Sequence, residues 1–192
     1  MIIAITGHAG SGKDTVADVI AKHTGSHDLY RFAFADPIKE AGSALLNVDA
    51  NVFRDRHMKD SVYWKINNWT PRDVLKGLGA WTRANFGPIV FASILVDKIK
   101  QVSSDAVVLV TDLRMPSEIA ALQVEFGDRV VLVHVDADER LGYNHQTVHH
   151  DTERHVDSIR DSRLVHKKIM LTNNGSLEEF QQQVEDRISS LV

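Results

Sequence analysis

The sequence predicts an α/β domain organised around a five-stranded parallel sheet with helices on both faces. Three observations carry that expectation. Five short apolar runs alternate with longer amphipathic stretches along 192 residues. The first run passes directly into a glycine-rich turn and then into a helical period. With 43% hydrophobic and 25% charged residues, the composition is that of an ordinary globular chain that can bury a core without staples.

Each element has its own signal. Residues 2–6 form an unbroken apolar run and read as a buried strand. Residues 13–23 place Val16, Val19 and Ile20 on one helical face. Residues 30–34 read as a second strand. Asp36-Pro37 then reads as an N-cap with proline in the first turn, opening a helix to about residue 46. Residues 47–68 mix charges with Phe53, Tyr63 and Trp64 and show no clean period. Thr70-Pro71 with Asp73 starts a helix to residue 85 or 86, and another covers 89–102. The β-branched run at 106–110 reads as a buried strand, 116–126 as a helix closed by Gly127, and 129–135 as the next strand. Residues 136–162 are highly polar and read as a mobile connection with short helical pieces. A last strand at 168–171 precedes a capping box, Ser176 with Glu179, and a helix whose stripe Phe180, Val184, Ile188, Leu191 is core.

Composition also excludes function classes. The chain has no cysteine, which removes disulfide scaffolds, thiolate zinc sites, iron–sulfur clusters and cysteine nucleophiles. A net charge of -4 argues against a nucleic-acid polymer as partner but allows a local anion site. No signal-peptide pattern or membrane-length apolar run is apparent, so a cytoplasmic protein is expected, as monomer or homodimer.

The strongest motif is Gly7-His8-Ala9-Gly10-Ser11-Gly12-Lys13-Asp14-Thr15, a G-x-x-x-x-G-K segment between a strand and a helix. Wrapping a phosphate chain with backbone N–H groups requires close approach, which the glycines permit. The helix opening at Lys13 points its positive end at the anion, and Lys13 adds a charge for the β- and γ-phosphates. Gly10, Ser11, Gly12, Lys13, Asp14 and Thr15 are thus the expected ATP contacts. Asp14 stands where the pattern has a hydroxyl, which comes one residue later at Thr15. Magnesium is assigned to Asp14 and Thr15, through water, and Thr15 or Ser11 alternatively binds phosphate. Guanine-reading and switch motifs are missing from the later loops, and the short chain suits a small-molecule kinase better than a motor or transport ATPase.

Further blocks make the reading more specific. Ala35-Asp36-Pro37-Ile38-Lys39-Glu40, Trp69-Thr70-Pro71-Arg72, Leu78-Gly79, Thr111-Asp112-Leu113-Arg114 with Glu118, His150-Asp151-Thr152-Glu153 and Thr172-Asn173-Asn174-Gly175-Ser176-Leu177-Glu178-Glu179 occur in order across the chain. With the glycine-rich loop, they resemble the bacteriophage deoxynucleoside monophosphate kinases. The resemblance implies one P-loop kinase domain over 1–192 with strand order 2-3-1-4-5. It implies ATP and Mg²⁺ as cofactors and γ-phosphate transfer to a deoxynucleoside monophosphate. Residues 47–86 would form an acceptor-binding insert and 136–162 a polar lid.

Phosphoryl transfer needs cations and positioning more than a strong base. Lys13, Arg72, Arg114 and Asp112 are the expected catalytic set. Arg114 follows a strand and emerges at the sheet edge where α/β folds bind ligands. Asp112 either accepts a sugar hydroxyl, orients Arg114 or holds water on Mg²⁺, and Glu118 pairs with Arg114. The alternative is a helix-capping turn with surface ion pairs. Acceptor contacts extend to Asp36, Lys39, Trp69 and Asn85, each with a plainer reading: a cap for Asp36, solvated positions for Lys39 and Asn85, a hydrophobic staple for Trp69. In the polar segment, His150 and Glu153 order a lid and Arg140 or Arg154 covers the ATP phosphates. The histidines at 145, 149, 150 and 155 match no strong zinc template.

Overall fold

The computed structural model of the chain describes residues 1–24, 28–61, 68–142 and 155–189. They form two compact units, one of residues 1–33 with 95–192 and the other of residues 34–94. The insert expected at 47–86 falls within the second.

The first unit holds the sheet. Its strands are β1 (Ile2–Thr6), β2 (Leu29–Phe32), β3 (Val107–Val110), β4 (Val130–Asp136) and β5 (Lys167–Thr172). All pairings are parallel and the order is β2-β3-β1-β4-β5, as the sequence led us to expect. β1 is central: Ile2 pairs with Val108 on one side and Val130 on the other. All five of its residues are buried. Ile3 and Ile5 meet Val133 and Val135 in a core completed by α1 (Lys13–His23) and by Phe180, Val184 and Ile188 of the helix Leu177–Ile188. Ile2, Ala4 and Thr6 alternate to the other face and are equally buried. Helices Pro116–Phe126 and Val156–Arg160 pack against β4 and β1 respectively. A strand covered on both faces must be apolar throughout, which is why β1 reads as a run and not as an alternation.

The second unit is helical. It contains α2 (Asp36–Leu46), α3 (Asn51–Arg54), α4 (Arg56–Asp60) and α5 (Pro71–Phe86), and the start of α6 (Val90–Lys100). In chain order, Pro116–Phe126 is therefore α7, Asp138–Leu141 α8, Val156–Arg160 α9 and Leu177–Ile188 α10. α5 starts at the expected Thr70 cap, and the structure makes of it a capping box: the Asp73 N–H donates to Thr70 Oγ1 at 3.2 Å and the Thr70 N–H to Asp73 Oδ2 at 3.0 Å. The Thr70 hydroxyl, at 2.7 Å from the same Oδ2, and the Thr70 N–H hold the Asp73 carboxyl below its ordinary range. α10 opens on the expected Ser176–Glu179 box.

Three details differ from the sequence expectation. β2 ends at Phe32, because residues 34–35 already turn into α2 and Phe34 is buried. For the same reason Asp36 does not cap α2. Ala35 is the N-cap, its carbonyl accepting from the Lys39 N–H at 3.1 Å, and Asp36 lies in the first turn. It still favours the helix there as an anion near the positive end. The aperiodic stretch after residue 47 holds two short helices, α3 and α4, the second capped by Asp55, which accepts from the N–H groups of His57 and Met58. Leu191, expected in the core stripe, lies outside the described residues. No helix among the described residues is long and apolar enough to cross a membrane.

Candidate phosphate-binding site

The loop 7–12 joins the C-terminal end of β1 to α1. Gly12, at φ 107°, is the N-cap, in the left-handed region that L side chains rarely adopt. At Gly7, a Cβ would stand 2.5 Å from the Val135 carbonyl oxygen, so β4 leaves no room for a side chain.

The carbonyls of Gly7, His8, Gly10 and Ser11 are all engaged. Lys13 Nζ donates to the carbonyls of Gly7 at 2.8 Å and His8 at 2.7 Å. The Ser11 N–H donates to the His8 carbonyl at 3.1 Å. Arg140 Nη2 donates to the Gly10 carbonyl at 2.8 Å, and Asn173 Nδ2 donates to the Ser11 carbonyl at 2.7 Å. Carbonyls engaged this way leave a concavity whose character is set by N–H groups and the α1 dipole. Ser11 is buried, and its hydroxyl has no hydrogen-bond partner among the described residues. A buried orphan hydroxyl beside a cationic N–H loop suits an anionic ligand.

Two further polar groups lie behind the loop. Thr6 of β1 stands in register with His134 of β4, and both are buried. Thr6 Oγ1 and His134 Nδ1 have no partner among the described residues. Burial, with Arg160 nearby, pushes His134 from 6.5 down to about 4, so its ring is neutral near pH 7.

Asp14 turns outward and its carboxylate is 89% exposed. It pairs with Arg31 of β2 at 3.1 Å, and the same guanidinium reaches Asp18 at 2.9 Å. Thr15 is half-buried in the first turn of α1.

Asp112 and Arg114 follow β3, as expected, and both are half-buried. Glu118 does approach Arg114, but through the main chain. Its Oε2 accepts from the N–H of Arg114 at 2.9 Å and of Met115 at 3.0 Å. The carboxylate thus caps α7 and fixes the loop that carries Arg114.

In the helical unit, Lys39 pairs with Asp36 at 3.0 Å. Arg72 grips Asp60 through both Nε and Nη2, a fork-to-carboxylate pair that the sequence did not announce. Trp69 is 56% exposed. Asn85 Nδ2 donates to the Trp81 carbonyl at 2.8 Å.

Arg140 lies in α8 and reaches the loop, as noted. His150, Glu153 and Arg154, with His145 and His149, lie outside the described residues. Among the described residues, no group of three or more side chains is placed to hold a metal ion. His134 and Asp60 were not singled out from sequence, and Asn173 entered only as part of a motif block, with no role assigned to it. Asn173 meets Ser11 across the whole chain length, and no local pattern reports such a contact.

No family model and no curated protein matches this chain. Solved structures similar to it include a gluconokinase from Sinorhizobium meliloti 1021 (13% identity, 98% of this chain and 91% of that one, TM-score 0.48). A thymidylate kinase from Ehrlichia chaffeensis is similar at 16% identity, covering 100% of this chain and 97% of that one, with TM-score 0.46. A shikimate kinase from Acinetobacter baumannii is similar at 14% identity, covering 100% and 94%, with TM-score 0.45. Likeness of this degree carries no argument about activity.

Proposed function

We propose that the chain is an ATP-dependent kinase of the P-loop type that phosphorylates a nucleoside monophosphate, most specifically a deoxynucleoside monophosphate. One observation carries the reading: a G-x-x-x-x-G-K loop leaves the central strand of a 2-3-1-4-5 sheet with its carbonyls engaged and Lys13 folded over it. Such a loop offers the triphosphate N–H groups and a movable cation. The deoxynucleotide acceptor rests on the motif resemblance.

In the proposed reaction, an acceptor phosphate oxygen attacks the γ-phosphorus and the bond to the bridging β–γ oxygen breaks. Lys13 exchanges its loop carbonyls for β- and γ-phosphate oxygens. Arg114, held by the α7 cap, is assigned to the acceptor phosphate, and Asp112 to the acceptor sugar or to water on Mg²⁺. Magnesium, when bound, neutralises charge on the β- and γ-oxygens. Thr15 and Asp112 are the hard oxygen donors that fit it, whereas Asp14 is engaged by Arg31. Acceptor contacts are further assigned to Asp36, Lys39, Trp69 and Arg72, which lie in the motif blocks of the resemblance, and to Asn85, from its place on the same helix as Arg72. The lid role expected from sequence is kept for Arg140, His150, Glu153 and Arg154.

The test is a coupled assay of ATP with a panel of acceptors, the product identified by mass. The panel holds ribo- and deoxynucleoside monophosphates, free nucleosides and dephospho-coenzyme A. Phosphorylated deoxynucleoside monophosphate is the expected product. A different phosphorylated acceptor replaces the substrate assignment, and ATP binding without any product marks a regulatory nucleotide binder. Lys13→Ala should lower kcat/KM by about a hundredfold or more. Undiminished activity in that variant would refute the role given to the loop.

A further inference from the structure

We propose that Asn173, braced by Arg140, is a positioning residue that presets the phosphate loop from the opposite end of the chain. The proposal rests on the phosphate-binding reading of that loop, and adds a function to Asn173 and a second, bracing contact to the lid arginine Arg140. Asn173 follows β5 directly and is itself fixed at two points. Its N–H donates to the Asp136 carbonyl at 2.6 Å, and its carbonyl accepts from Arg140 Nε at 2.9 Å. Its Nδ2 then donates to the Ser11 carbonyl at 2.7 Å. Arg140 uses its remaining reach on the neighbouring peptide, donating from Nη2 to the Gly10 carbonyl at 2.8 Å. The Arg140 main-chain N–H is in turn held by Asn174 Oδ1 at 3.3 Å.

The effect on the loop follows from peptide geometry. In a planar trans peptide, C=O and N–H point in opposite directions. Holding the Ser11 carbonyl toward Asn173 therefore turns the Gly12 N–H the other way. That N–H stands at the positive end of α1, where an anion would sit. The contact is also tight, since a Cβ at Gly12 would stand 2.5 Å from Asn173 Nδ2 and 3.0 Å from the Phe180 ring. Glycine, amide and ring interlock, so the peptide is set before a ligand arrives. The two braces come from α8, which follows β4, and from the loop after β5, neither adjacent in sequence to the loop they hold.

The experiment uses the full chain and two variants, Asn173→Asp and Arg140→Gln. Binding of inorganic tripolyphosphate and of adenosine is measured by calorimetry, the Gly12 amide exchange rate by NMR, and Tm by unfolding. Asn173→Asp should weaken tripolyphosphate binding by about tenfold or more, since it removes a donor and sets a carboxylate against a carbonyl. Arg140→Gln should weaken it by about three- to tenfold. Both should speed Gly12 exchange while leaving exchange in β1 and adenosine affinity unchanged, a pattern that general destabilisation does not produce. Tripolyphosphate affinity within about twofold of wild type in a folded variant overturns the proposal. So does a loss confined to adenosine, which would make Asn173 a nucleoside contact. If Asn173→Asp does not fold, the Arg140→Gln arm decides by the same criteria. A wild-type chain that binds no tripolyphosphate overturns the phosphate-loop reading and the proposal together, and that arm separates the two failures.

Discussion

The Glu118 carboxylate accepts the backbone N–H of Arg114 at 2.9 Å while remaining only 5% exposed. The bond ties a buried anion to the start of α7 and to the loop that presents Arg114. Replacing Glu118 by alanine leaves two N–H groups without their acceptor. We expect a loss of about 1–2 kcal/mol in urea unfolding. Glu118→Gln, which keeps an acceptor oxygen, should recover most of it. If Arg114 serves the acceptor, the alanine variant also raises KM for the acceptor more than for ATP. An equal change in both constants would detach Glu118 from that role.

The two candidate metal-facing residues separate by substitution. Asp14 is exposed and spends its charge on Arg31, so Asp14→Asn should leave the Mg²⁺ concentration for half-maximal transfer within about twofold of wild type. Thr15→Val should raise it by about tenfold or more. The reverse ranking would return the ion to Asp14.

His134 predicts an acid-sensitive core. Its folded value of about 4 lies below the 6.5 of an exposed histidine. Between those values the unfolded chain binds more protons, so stability rises with pH across the window. It is complete above about 6.5 and lost as pH falls toward 4, by up to about 3 kcal/mol. Urea unfolding of the wild type and of His134→Leu from pH 4.5 to 7.5 measures this. The variant should show a visibly flatter profile, and parallel profiles would exclude His134 as the source.

Gly42 sets propensity against packing. Alanine is the better helix former, yet a Cβ at Gly42 would stand 2.9 Å from the ring of Phe53, which is buried. Overpacking should win, and Gly42→Ala should cost about 1–3 kcal/mol. A combined Gly42→Ala, Phe53→Leu variant should be less destabilised than the sum of its parts.

The sequence carried the sheet because each strand is a local fact. In β1, β3 and β4 an apolar run with turn signals on both sides needs no knowledge of its neighbours, while β2 and β5, at the two edges of the sheet, carry Arg31 and Lys167-Lys168 beside fewer apolar residues. Capping boxes are local too, and Thr70 with Asp73 and Ser176 with Glu179 were readable as written. The region after residue 47 was not, because α3 and α4 have four and five residues, too short to display a helical period. The site divided along the same line. Gly7 to Thr15 is contiguous and was legible. Arg140 was named, but its target was not: the guanidinium goes to a loop carbonyl. Asn173 and His134 owe their places to register and crossover, which composition and spacing do not encode.

The central position of β1 has a consequence for how the chain comes to be. Its hydrogen-bonding partners, Val108 to Val110 and Val130 to His134, lie in the second half of the polypeptide. During synthesis the glycine-rich loop emerges before either partner strand, attached to a strand with nothing yet to pair with. Until residue 110 has been made that strand is an apolar segment with both edges open, and until residue 134 one edge still waits for its partner, a state exposed to chaperones and to aggregation. The part of the chain whose chemistry is most legible is therefore among the last to acquire its shape.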